Sequence, residues 1–151
     1  MPMVYDDVAF GPLNLGLSHE KVQQRVYNAL NTVGCLHLKD RPPHHLSDGQ
    51  KSAVAIATVI AMQPDILVMD EPASRLDPKA RRHLINLLKG FHHTKLIASH
   101  DLDFILDVCE RCIVIKNGRI VADGAAEKIL SDKILLEENN LELPLSLQGR
   151  I

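Results

Sequence analysis

The chain has 151 residues, of which 46% are hydrophobic and 24% charged, with a net charge of −2. That is enough chain for one domain with a real core and an ordinary soluble composition. The slightly acidic balance advertises no basic face for nucleic acid or anionic lipid. No apolar run approaches the ~18 residues that a membrane-spanning helix needs. The opening MPMVYDD has neither the charged nor the apolar region of a signal peptide. The expectation is a cytoplasmic protein.

Taken in chain order, residues 4–17 read as irregular, with Gly11-Pro12 and Gly16 as breakers. Ser18 caps a helix to about Val33, with Val22, Val26, Ala29, Leu30 and Val33 on one face, and Gly34 ends it. Residues 35–46 read as a loop with Pro42-Pro43 and two adjacent histidines. A second helix spans about Gly49 to Met62; it is apolar nearly all round and is expected to be buried. Ile66 to Met69 is a short apolar run, the pattern of a strand covered on both faces. Asp77 caps and Pro78 opens a helix to about Lys89, and Leu96 to Ala98 reads as a second buried strand. Asp101 to Cys109 is helical. Cys112 to Ile115 and Arg119 to Ala122 are strands joined by the hairpin signal Asn117-Gly118. A helix near Ala125 to Leu130 and a weaker tail ending LELPLSL complete the chain. Strands alternating with helices predict an α/β fold with a mainly parallel sheet.

Four patterns carry chemistry. In ILVMDEP (Ile66 to Pro72) an apolar strand ends in two carboxylates, Asp70 and Glu71. Ligands of open α/β sheets bind at such strand ends. Asp70 there suits a hydrated Mg²⁺, and Glu71 suits the polarisation of an attacking water. The bland alternative is two acids capping a turn before Pro72. In LSDGQ (Leu46 to Gln50) a helix opens at Gly49-Gln50, and its free N–H groups and dipole attract phosphate. Ser47 or Asp48 also reads as a simple N-cap, and one helix end can serve both purposes. SRLD (Ser74 to Asp77) and SHD (Ser99 to Asp101) follow.

Other candidates point to structure. Cys109 and Cys112 form C-x-x-C, but Cys35 is the one other cysteine, which excludes a four-sulfur zinc site. Cys109 closes a helix, the wrong polarity for a redox thiolate, so both read as buried filler. His44-His45 and His92-His93 read as solvated loop pairs that splay apart.

In this order the motifs resemble those of an ATP-binding cassette (ABC) ATPase, from about Val4 to Leu147. LSDGQ is similar to the family signature, with Asp48 in place of the commoner glycine, and Asp48 is expected to point away. SRLD resembles the D-loop and His100 the switch histidine. The resemblance implies an α/β, truncated P-loop NTPase (ABC ATPase) fold with a helical subdomain, residues 1–62, and part of the ATPase core, residues 63–151. It implies Glu71 and His100 as catalytic groups and Asp70 as a Mg²⁺ ligand through water. Ser47, Gly49 and Gln50 would bind the nucleotide of an opposite subunit, and Asp77 would communicate across that dimer. The implied cofactors are ATP and Mg²⁺. The implied partners are a second ABC ATPase subunit and a transmembrane component, at the inner face of the membrane, with no nucleic acid.

DDVAFGPLNLGL and the hairpin region resemble the cobalt/nickel and energy-coupling-factor importer branch. Phe10, Pro12 and the loop after them would receive the transmembrane partner. The departure from the family is that no G-x-x-x-x-G-K-[ST] phosphate loop and no Q-loop occurs in these residues. Three expectations follow: negligible ATP affinity for the chain by itself, an apolar strand face left open, and association through it. The alternative is a non-catalytic partner that lends its signature to a complete subunit.

Overall fold

The computed structural model describes residues 3–91 and 94–149. By compactness the chain forms two units, Met1–Leu96 and Ile97–Ile151.

The first unit opens with a helix where breakers predicted irregular chain: α1 spans Val4–Asn14 and contains Pro12. Distant backbone supplies the reason. The Val4 and Tyr5 N–H groups donate to the carbonyls of Arg41 and Lys39, both at 2.9 Å, and the Met3 N–H donates to Asp6 Oδ2 at 2.7 Å. These bonds satisfy donors that a helix start leaves orphaned. Val4, Val8, Ala9 and Pro12 form a buried stripe at helical spacing, packed on α2 and α3. Gly16, at φ +71°, then stops the helix.

Helix α2 spans His19–Thr32, capped by Ser18 and ended at Gly34 (φ +69°), as its sequence predicts. Two short 3₁₀ turns, Leu36–Leu38 and Pro43–His45, interrupt the expected loop. The rings of His44 and His45 do not splay; they pack edge to face, 4.3 Å between centroids and 66° apart. The tight turn brings together what an extended loop would separate. His92-His93 lies outside the described residues.

Helix α3 covers Asp48–Ile60. It is buried only along Val54, Ile56 and Ala57, while Ala55 is exposed. Its other flank forms one wall of a groove with α1 rather than sinking into the core. The Arg25 guanidinium donates to the Ala61 and Met62 carbonyls at 3.5 and 3.3 Å, closing the C-terminal end of α3.

Strand β1 is Ile66–Asp70, α4 is Pro78–Lys89 and β2 is Thr94–Ala98; β1 and β2 pair in a two-stranded sheet. The expectation of strands covered on both faces fails. Leu67 is buried at 2% exposure, but its neighbour Val68 is 67% exposed, and Ile66 and Leu96 are open too. Alternate residues of a strand face opposite ways, so one face is sealed and the other bare. An open apolar face of this kind recruits another chain. Sedimentation at rising protein concentration is expected to show self-association, with monomer restored by Val68→Lys together with Leu96→Lys. A wild-type chain that stays monomeric throughout would refute it.

The second unit holds α5 (Leu102–Val108), β3 (Arg111–Lys116), β4 (Arg119–Ala125), α6 (Ala126–Leu130) and α7 (Lys133–Glu138). β3 and β4 form the predicted antiparallel hairpin, with Asn117 and Gly118 both at positive φ. Its core gathers Ile105, Val114, Ile129, Leu130 and Leu136. The Asp103 carboxylate accepts the N–H groups of Leu145 and Ser146 at 2.8 and 3.0 Å, fastening the tail turn to α5.

Candidate functional site

Ser47 begins the site. It is the N-cap of α3, in extended backbone, and its Oγ accepts the Gln50 N–H at 3.3 Å. The Gln50 Oε1 accepts the Ser47 N–H at 3.0 Å in return, a reciprocal capping box. Accepting one bond leaves the hydroxyl its own hydrogen to donate. Asp48 turns away from this end: its carboxylate, 73% exposed, pairs with Lys51 at 3.2 Å on the helix surface. The Asp48 charge in the first turn of α3 is thus met by the Lys51 ammonium on the helix surface.

Gly49 has a tight neighbour. A β-carbon there would lie 2.7 Å from the β-carbon of Ala80 in α4. The glycine lets the two helices meet, beyond any approach of backbone to phosphate. Ser47, Gly49 and Gln50 line a cleft of about 490 Å³ together with Asp77, Lys79, His37 and His83. Two motifs nearly thirty residues apart thus share one concave surface. His83, unremarked in the sequence, is fixed by a 3.0 Å hydrogen bond between its Nε2 and the Val33 carbonyl.

At the end of β1, Asp70 lies on the exposed face in line with Ile66 and Val68. Glu71 is half-buried and adopts φ +45°, the left-handed side that non-glycine residues rarely enter. It also precedes Pro72, which favours extended backbone. Such a conformation costs on the order of 1–3 kcal/mol and persists where its surroundings enforce it. The chain then turns through Pro72 and Ala73. The Ser74 N–H and the Ser74 hydroxyl both donate to the Glu71 carbonyl, at 3.2 and 3.0 Å. Asp77 closes the segment as the N-cap of α4, its Oδ1 accepting the Ala80 N–H at 2.8 Å, with Pro78 at the first helical position.

His100 follows β2 in the second unit and is exposed. Asp101 caps α5 through the Phe104 N–H at 2.9 Å. Among the described residues, no three His, Cys, Asp or Glu side chains converge as a metal site. Cys109 caps the end of α5 and Cys112 lies in β3, both half-buried. Burial pushes the Cys112 thiol, and likewise that of Cys35, above its usual range, which suits packing rather than thiolate chemistry. The sequence places Ser74 in SRLD without revealing its bond to Glu71, and gives no sign of the role of Ala80. Pro72 at the second position of a turn was the available signal for the bend that brings Ser74 back to Glu71.

The family model described as "AAA domain, putative AbiEii toxin, Type IV TA system" matches residues 17–107. An ABC transporter ATP-binding protein of Geobacter sulfurreducens is 56% identical over 149 residues, covering 99% of this chain and 60% of that protein. The energy-coupling factor transporter ATP-binding protein EcfA2 of Methanospirillum hungatei is 45% identical, over 97% of this chain and 38% of its own length. Among solved structures, CbiO1 of Clostridium perfringens, part of the ABC transporter complex CbiONQ, superposes with a TM-score of 0.80 at 39% identity; the match spans 92% of this chain and 57% of CbiO1. The chain thus spans about half to three fifths of the length of its first relatives. The fold is the α/β fold of ABC ATPases. By motif order, fold and relatives, the chain belongs to the ABC transporter ATP-binding protein family.

Proposed function

We propose that the chain is the part of an ABC importer's ATP-binding subunit that presents the signature helix and the water-activating acid. The observation that carries this reading is the shared cleft: Ser47, Gly49 and Gln50 at a helix N-terminus, with Asp77 beside them. Four residues named for one interface lie on one surface, where the helix end supplies donors and partial positive charge to a triphosphate. That triphosphate belongs to an opposite ATPase subunit. In the same reading Asp70 holds Mg²⁺ through water, Glu71 polarises the attacking water, and His100 holds the γ-phosphate in line.

Residues 1–62 form the subdomain that meets the transmembrane component, and residues 63–151 belong to the ATPase core. Supporting this is an apolar groove of about 940 Å³ between α1 and α3, with Phe10 68% exposed at its wall and Asp6, Asp7 and Lys51 at its rim. Pro12 does not contribute to that surface, being buried. The resemblance of DDVAFGPLNLGL and the hairpin region to cobalt/nickel and energy-coupling-factor importers points to uptake of a metal ion, cobalt or nickel, or of a vitamin. The subunit works at the inner face of the membrane.

Calorimetry tests the nucleotide reading. The chain alone is expected to bind no Mg²⁺-ATP at about 1 mM, a ceiling of roughly 4 kcal/mol. Joined behind the front segment of the Geobacter relative, it is expected to bind at micromolar concentration. Micromolar binding by the chain alone overturns the claim that the grip comes from elsewhere; none in the joined protein overturns the ATP-binding reading.

A further inference from the structure

We infer that Ser74 is a positioning residue for Glu71. Its amide and its hydroxyl together hold the Glu71 carbonyl, and this fixes the left-handed backbone that aims the Glu71 side chain. The inference rests on the reading of Glu71 as the acid that activates water. Two local preferences oppose the observed conformation. A β-carbon disfavours φ +45°, and the following Pro72 pushes the preceding residue toward extended backbone. Something outside Glu71 must therefore impose it.

That carbonyl accepts two bonds from Ser74, at 3.2 Å from the amide and 3.0 Å from the hydroxyl. The amide bond alone closes an ordinary four-residue turn, which any residue at position 74 provides. The hydroxyl bond, reaching back three residues, is what serine adds. It draws on the carbonyl's second lone pair, so rotation of the Glu71–Pro72 peptide plane breaks two bonds rather than one. The β1 strand fixes the chain before Glu71, and buried Ala73 fixes it after. Rotation of this single residue would redirect its carboxylate, so the hydroxyl of Ser74 sets the aim.

The test uses the full 151-residue chain, labelled with ¹³C and ¹⁵N, as wild type, Ser74→Ala and Ser74→Thr. Ser74 is exposed, so both variants fold. The readout is the backbone coupling and the α- and β-carbon shifts of Glu71. Ser74→Ala is expected to lose the left-handed signature at Glu71 while signals of the α4 core stay in place. Ser74→Thr, which keeps the hydroxyl, is expected to retain that signature. An unchanged Glu71 in Ser74→Ala overturns the proposal. So does an equal disturbance across β1 and α4, or a Thr variant that behaves like Ala. No nucleotide enters this measurement, so a failure of the catalytic reading shows in the calorimetry and turnover assays and not here.

Discussion

Glu71→Gln, made in the protein joined to a phosphate-loop segment, is expected to lower ATP turnover ~10²–10⁴-fold, the usual contribution of a positioned general base. Nucleotide binding should persist, because glutamine keeps the shape of the side chain and removes only its basicity. The left-handed backbone of Glu71 should also survive, since Ser74 grips the main-chain carbonyl and not the carboxylate. A phosphate-release assay beside calorimetry separates these quantities. Turnover within tenfold of wild type would remove Glu71 from the role of base. Loss of binding along with turnover would mean that the acid organises the site rather than acting on water.

Gly49→Ala is expected to destabilise the chain by ~1–3 kcal/mol, the usual penalty for an added carbon in a packed contact. The new β-carbon would lie 2.7 Å from that of Ala80, and neither atom can swing aside. The helices α3 and α4 would have to part, carrying Ser47 and Asp77 with them. Ala80→Gly alone costs about 1 kcal/mol in helix propensity. In the double variant the clash is relieved, so the two changes should cost less together than their sum. Urea titration of the four proteins measures this coupling. Strict additivity would show that the contact does not limit the approach of the helices.

The legible parts of this fold were those settled within a few residues. Ser18, Ser47 and Asp77 cap their helices as their positions suggest, and Asn117-Gly118 turns the hairpin. What the sequence hid depends on distant chain. Helix α1 survives Gly11-Pro12 because the Arg41 and Lys39 carbonyls, some 35 residues away, accept its first amides. The bare face of β1 and β2 could not be read from apolar runs, since such a run does not say how many layers cover it; it was the lack of a phosphate-loop motif that led to the expectation of an open face. The candidate site residues were picked out by type and order. Their geometry was not: neither the cleft joining Ser47 to Asp77 nor the double grip of Ser74 on Glu71 leaves a periodic trace.

Helix α3 has a mechanical consequence. Its 13 residues make a rod about 20 Å long. Arg25 anchors the rod at its base, the apolar groove runs along its flank, and Ser47 stands at its tip. A body pressing into the groove would bear on the shaft of this rod, whose base is tied to Arg25. Groove wall and capped tip thus belong to one stiff segment, so that a load on the flank is carried to Ser47.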